Sequence, residues 1–256
     1  MTRGESVAQG AWISYWRFWQ RYHRYTVDGL EHLDGPFAKL IVGYHARGTA
    51  MDMCMLTVAL FDRYGYLPHG FVHRSVENFP PVRWFTHSLG FLVRDGPELA
   101  AAVRKGEHLV TTPGGGREGL RGVWDRYRVS WGEDLGYVRL AVKYRLPIVP
   151  VGCAGADDLF IGLNDVAAIG RALSIPMKWG FAFWLGLGPL GAYPFSPPFP
   201  VRLSQLVGQP IDPFVDGDVR LDDEEALRRI HRRVTRAVQR TLDEARRRKR
   251  RNGLWR

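Results

Sequence analysis

The sequence predicts an α/β fold with a mostly parallel central sheet flanked by helices. Two observations carry this. From about Leu30 to Val207, short β-branched runs alternate with helical patterns, as in chains that join parallel strands through crossover helices. The chain has 256 residues, 45% hydrophobic and 24% charged, enough to bury a sizeable core and to exclude a disordered protein. Its two cysteines, Cys54 and Cys153, each stand in an apolar run. That excludes a disulfide scaffold and fits a reducing compartment.

The first element is an amphipathic helix from about Ala11 to Tyr25. Trp12, Tyr15, Trp16, Trp19 and Tyr22 recur there at three- and four-residue spacing, with Arg17, Arg21 and Arg24 around them. Strands are predicted at Lys39–Tyr44, Gly70–His73, Gly90–Arg94, His108–Thr112, Pro147–Gly152 and Val201–Val207. Helices at Thr49–Arg63, Pro97–Lys105 and Leu135–Tyr144 lie between most of them. From Asp222 onward the chain reads as one long Arg-rich helix ending in unbroken charge at Arg246–Arg251. This gives a membrane-associating amphipathic helix over 1–29, an α/β domain over 30–215 and a basic carboxy-terminal helix over 216–256. Trp179–Phe195 is a seventeen-residue run without a charge. It is too short, and too rich in Gly and Pro, for a spanning helix of about 20 apolar residues. It reads as an interfacial segment or as buried core.

Chemistry is expected beyond the carboxyl ends of the strands, where open parallel sheets bind ligands. Lys39–Tyr44 runs directly into His45, and Asp52 follows in the first turn of an apolar helix. An imidazole at a strand end can serve as general base toward a hydroxyl, with a carboxylate on its other nitrogen fixing the tautomer. Thr49 and Asp52 are three apart, so Asp52 also fits a capping box with a purely structural role. Gly114, Gly115, Gly116 and Arg117 follow the strand His108–Thr112. Their amides and the forked guanidinium suit an anion, and a tight structural turn is the alternative. The spacing fits neither a P-loop nor a dinucleotide fingerprint, Gly-x-Ser-x-Gly is absent, and no Cys/His cluster has metal-ligand spacing. No metal and no cofactor are expected.

Four stretches carry a family resemblance. His45 to Asp52, Gly90 to Asp95, Pro113 to Glu118 and Pro147 to Val151 occur in the order and rough spacing of the four blocks of the glycerolipid acyltransferase superfamily. The chain resembles 1-acylglycerol-3-phosphate and lysophospholipid acyltransferases, with a third block closer to the diacylglycerol acyltransferase-like branch. The family's first block separates His and Asp by four residues; here six intervene. Its third block, Glu-Gly-Thr-Arg, laid on this chain, puts Gly114 on the Glu and Arg117 on the Arg. The resemblance implies acyl transfer from acyl-CoA, or from acyl carrier protein, to a glycerolipid hydroxyl. His45 would be the base and Asp52 its partner. It further implies that Arg94 and Arg117 hold the acceptor's anionic head, and that Pro147 and Val149 line the acyl or acceptor pocket. The alternatives are a neutral or glycolipid acceptor, and a non-catalytic basic binding protein.

The formal net charge is +10. From Arg220 to Arg256, 14 Lys+Arg face 6 Asp+Glu, so +8 of it lies in the terminal helix and about +2 on the rest. A near-neutral body with greasy and basic attachments points to an anionic membrane surface rather than nucleic acid. With no signal peptide in view, the cytoplasmic face of the cell membrane is the expected location.

Overall fold

A computed structural model describes residues 3–71, 79–92, 95–166 and 184–253. Helix α1 (Arg3–Tyr22) leads into β1 (Thr26–Asp28), β2 (Leu40–Gly43), α2 (Arg47–Tyr64), β3 (His69–Gly70) and α3 (Pro80–Ser88). Then come α4 (Pro97–Arg104), β4 (Leu109–Thr111), the one-turn α5 (Gly115–Gly119), α6 (Gly136–Lys143) and β5 (Ile148–Ala154). Short strands β6 (Ile161–Gly162), β7 (Gly186–Gly188) and β8 (Gly191–Ala192) precede β9 (Ser204–Val207) and the closing helix α7 (Glu224–Gly253).

The main sheet has the order β1-β9-β5-β2-β4-β3, and every pairing is parallel except β5 with β9. The expected α/β class with a mostly parallel sheet is what the chain adopts. The predicted strands Gly70–His73 and Gly90–Arg94 shrink to β3 and a single bridge between Phe71 and Leu92. Their outer ends, including Arg94, lie outside the described residues. Sequence reading missed β1, α3 and the small antiparallel sheet β6-β7-β8.

Side chains leave a strand alternately to its two faces, and β2 shows the consequence. Leu40 and Val42 join the larger core with Val138 of α6 and Val234 and Val238 of α7. Ile41 faces the other way, aligned with Val110 and Val149 and packed with Met53, Leu56 and Leu60 of α2. The opposite side of α2 carries Met51, Met55 and Val58, in one cluster with Ile13 and Trp16 of α1. A helix held between a sheet and a second helix must be apolar nearly all round, as its sequence is. Trp12 Nε1 donates to Thr57 Oγ1 (2.9 Å) and Gln20 Nε2 to Met55 O (2.9 Å). Much of the aromatic face of α1 is therefore spent on α2, while Tyr15 and Phe18 remain exposed.

The two terminal segments are built into the domain. β1 pairs with β9, and α7 lies across β5 and β9. Gly152 lets α7 sit down: a Cβ there would stand 2.5 Å from both Cα and N of Leu242. Of Trp179–Phe195, residues 179–183 lie outside the described set. The remainder has Trp184 buried and Leu190 and Phe195 exposed on a hairpin of the small sheet.

Because the clash at Gly152 is with backbone, Gly152→Ala should cost about 1–3 kcal/mol and lower Tm by several degrees. Gly10→Ala, on an open face of α1 with nothing within 4 Å of the new Cβ, should be neutral or slightly stabilising. Thermal unfolding of both variants by circular dichroism checks the contrast.

Candidate active site

The carboxyl end of β2 delivers Tyr44 and then His45 to the rim of the sheet. Beneath them lies a cluster of buried charge. Arg47 donates from Nη1 to Arg121 O (2.9 Å) and from Nη2 to Gly122 O (3.0 Å), and its Nε stands 3.6 Å from Asp157 Oδ1. Arg121 donates to Arg128 O (2.6 Å) and His45 O (3.2 Å), with its Nε 3.8 Å from the same Asp157 oxygen. Its guanidinium lies 4.4 Å over the Tyr44 ring. The second Asp157 oxygen accepts from Tyr44 Oη and from the Tyr127 amide. Gly162 is required here, since a Cβ would stand 2.2 Å from Arg47 Nη1.

His45 is fixed at main chain and ring. Its amide donates to Glu118 Oε2 (3.0 Å), and its carbonyl accepts from Arg121. Its Nδ1 lies 2.7 Å from Ala46 O. A carbonyl can only accept, so Nδ1 carries the proton and Nε2 the free lone pair. Burial pushes the imidazole pKa down to about 4, so the ring is neutral at pH 7. Gly119 packs against it: a Cβ there would be 2.8 Å from His45 Cε1 and 2.9 Å from Nδ1.

Six residues separate His45 from Asp52, and the chain takes up that length in a kink. Gly48 (φ 72, ψ −110) and Ala50 (φ 51, ψ 47) are both left-handed, and regular α2 begins after them. The Tyr193 ring covers Gly48, 3.4 Å from where a Cβ would be. Asp52 is 1% exposed. No side chain donates to either carboxylate oxygen among the described residues; the backbone amides of Ala46, Asp52 and Met53 pull against the burial. The capping box with Thr49 is not formed, and the carboxylate is not hydrogen-bonded to His45 in this structure. Burial pushes its pKa up to about 7.

In the glycine loop, Gly114 and Gly119 make room for neighbours. A Cβ at Gly114 would stand 2.3 Å from the Glu118 side chain. Glu118, which sequence reading passed over, is fully buried and accepts from Ser130 N (2.8 Å) as well as from His45. Burial raises its pKa, against the pull of Arg121 and these amides. The signal was an acidic residue directly after Arg117 and before another glycine. Gly115 takes φ +49, and Gly116 accepts the amide of Leu120 (3.0 Å), closing the single turn of α5. Arg117 is exposed, and its Nη1 lies over Gly132, where a Cβ would be 2.7 Å away. Gly132 rims a cavity of about 630 Å³ lined by Arg228, Arg232 and Arg236 of α7.

Pro147 and Val149 are not beside His45. The register Leu40 to Ile148 sets Pro147 just before the amino end of β5, opposite the rim that carries His45. Val149 is 0% exposed in the core under α2. The structure thus sets Pro147 at the end of β5 away from the His45 rim and Val149 in the core under α2, and β5 runs two residues farther than predicted, to Ala154.

An unfolded Asp ionises near about 3.9, whereas folded Asp52 keeps its proton to about 7. The unfolded state thus binds fewer protons between those values, and stability falls as pH rises through them. Asp52→Asn removes this loss. Its Tm advantage over wild type should widen from pH 4 to pH 7 and then level off; a gap that stays constant contradicts the buried, protonated carboxyl.

No family model matches the chain. It is 25% identical over 237 residues to an uncharacterised protein of Mycobacterium tuberculosis, covering 88% of this chain and 62% of that one. It is 27% identical over 202 residues to the DGAT1/2-independent enzyme synthesizing storage lipids of Gallus gallus, covering 78% and 55%. With phytyl ester synthase 1, chloroplastic, of Arabidopsis thaliana it shares 26% identity over 152 residues, covering 56% and 21%. The chain thus spans about three fifths or less of the length of these relatives. The crystal structure of the 1-acyl-sn-glycerophosphate (LPA) acyltransferase PlsC from Thermotoga maritima matches with a TM-score of 0.51 and 18% identity, covering 94% of this chain and 83% of that one. The resemblance to the glycerolipid acyltransferase superfamily, read from four sequence blocks, is therefore met in fold by a lysophosphatidate acyltransferase and in sequence by enzymes named for storage-lipid and phytyl ester synthesis.

Proposed function

We propose that this protein is an acyltransferase that moves a fatty acyl group from acyl-CoA to a hydroxyl of a glycerolipid, with His45 as general base. The observation that carries the reading is the neutral imidazole at a strand end, with Nδ1 engaged by Ala46 O and Nε2 left free. Nε2 takes the proton of the acceptor hydroxyl as its oxygen attacks the thioester carbonyl. The tetrahedral oxyanion collapses, the C–S bond breaks, and the imidazolium returns the proton to the departing thiolate. Backbone amides of the kinked 47–50 segment and of the glycine loop supply the oxyanion donors. Asp52 is the carboxylate proposed to steady the imidazolium. It is buried in the first regular turn of α2, with no side chain donating to it among the described residues, and would act on the imidazolium through its charge.

The acceptor is either a phosphate-bearing glycerolipid, held through Arg117 and Arg94, or a neutral hydroxyl such as diacylglycerol or a long-chain alcohol. One feature bears on the choice: the Arg117 guanidinium packs over Gly132, 2.7 Å from where a Cβ would be. Delivery from a membrane surface fits the exposed Tyr15 and Phe18 of α1, the exposed Leu190 and Phe195, and the Arg-rich tail. Tyr22 Oη donates to Pro198 O (2.9 Å), which ties α1 to the chain just after Phe195. No helix among the described residues is long and apolar enough to cross a membrane. The proposed location is the cytoplasmic face of the cell membrane, peripheral or monotopic.

The test incubates the protein with palmitoyl- and oleoyl-CoA and a panel of acceptors: glycerol 3-phosphate, lysophosphatidate, diacylglycerol, a long-chain alcohol and a glycolipid. Acceptor-dependent thiol release is expected. His45→Ala should lower turnover by about 10²–10⁴-fold with its circular dichroism unchanged. Gly119→Ala, which pushes on the imidazole without removing it, should cost about 10²-fold. Thiol release with none of the acceptors, or a folded His45→Ala protein that keeps most of its activity, overturns the reading.

A further inference from the structure

A second site lies one strand away from His45, at the carboxyl end of β5. Ala154, Gly155, Tyr127 and the exposed loop of Val123 and Trp124 enclose an open pocket of about 610 Å³ together with Arg126, Arg246, Lys249 and Arg250. Asp158 is the carboxylate in its lining. The cations are built in. Arg246 lies 4.2 Å over the Tyr127 ring. Lys249 Nζ sits over Gly155, 3.1 Å from where a Cβ would be. Tyr127 Oη accepts from Gly155 N (3.0 Å) and donates to Asp158 (2.7 Å), which Arg126 approaches at 3.3 Å. Among the described residues Lys249 and Arg250 pair with no carboxylate, whereas Arg247 and Arg248 are both engaged by Glu244. Trp124, at the mouth, is 91% exposed, although large aromatic side chains usually find cover.

The pocket connects physically to the His45 loop. Tyr127 N donates to Tyr44 Oη (3.1 Å), one residue before His45. An adjoining apolar cavity of about 340 Å³ shares Val123, Arg126 and Asp158 and continues to Phe160. The Phe160 ring is 5.3 Å from that of Tyr193, which covers Gly48. Four cations and an indole beside an apolar groove suit a ligand that is polyanionic at one end and greasy at the other.

We propose that this pocket binds the nucleotide of the acyl donor: the 3′-phosphorylated ADP of a coenzyme A thioester. Trp124 stacks on the adenine, and Arg126, Arg246, Lys249 and Arg250 hold the phosphates. The pantetheine arm runs along the apolar groove toward His45. This assignment rests on the acyltransferase reading with a coenzyme A donor.

Calorimetric titration with desulfo-CoA tests it on the full chain. Trp124→Ala and the double variant Lys249→Ala/Arg250→Ala, both at surface side chains, should each weaken desulfo-CoA binding by about 10-fold or more. Dephospho-CoA, lacking the 3′-phosphate, should bind wild type more weakly than desulfo-CoA and be less sensitive to the double variant. In turnover assays the same variants should raise KM for acyl-CoA about as much as Kd. The gap to wild type should close with S-acyl pantetheine, which has no nucleotide. Wild type that does not bind desulfo-CoA overturns the proposal. So do variants that bind it as wild type does, or variants whose only loss is in co-sedimentation with phosphatidylcholine vesicles containing phosphatidylglycerol. Pocket-dependent desulfo-CoA binding without turnover on any acceptor sinks the acyltransferase reading and leaves the site standing; normal acyl-CoA kinetics in both variants does the reverse.

Discussion

The chain around His45 depends on one buried arrangement of charge. Arg47 and Arg121 share the single carboxylate of Asp157, and all three are removed from solvent. Withdrawing such ions from water costs several kcal/mol each, and an ion pair alone seldom offsets it. Here each of the four Nη atoms also donates to a carbonyl, those of Arg121, Gly122, Arg128 and His45. The electrostatics thus hold four separate backbone positions, among them the residue that carries the candidate base. Loss of Asp157 would leave Arg47 buried without a counter-ion and Arg121 with only the Glu118 charge, so the loop's shape and the cluster's charge balance stand or fall together.

A second constraint is how closely backbones approach the site. Gly119 lets α5 press against the His45 ring, and Gly162 admits Arg47. Gly43 leaves space for Met53, and Gly152 seats α7 on β5. None of these positions needs glycine for its own conformation, since none has a positive φ. They need it because another atom occupies the place of a side chain. Gly48 differs: its left-handed backbone and that of Ala50 let six residues fit between His45 and Asp52, leaving His45 on the strand end and Asp52 in regular helix.

Much of the fold could be read from local pattern. The apolar runs at Lys39–Tyr44 and Pro147–Gly152 and the all-round apolar character of α2 report burial on both faces, which period and composition encode directly. The reversed direction of β9 could not be read, because a four-residue strand looks alike in either sense. Nor could α3, whose exposed Trp84 and Val82 blur the helical stripe. At the site, His45 stood out as a polar residue at the end of an apolar strand. Glu118, Arg47 and Arg121 did not, because charged residues in loops ordinarily face water and only the assembled fold shows these three enclosed.

By itself, then, the sequence determined the α/β class, the strand that carries His45, the glycine loop beside it, and the concentration of positive charge in the last helix. Each follows from the chemistry of neighbouring residues along the chain. Tertiary structure alone decided which charges became internal, that Glu118 reaches the His45 amide, and that Val149 lies in the core with Pro147 at the far end of β5. It also brought part of the basic tail back over β5 beside Trp124, where Arg246, Lys249 and Arg250 wall a pocket. These outcomes depend on contacts between residues scores of positions apart, whose energies arise only when packing excludes water between them.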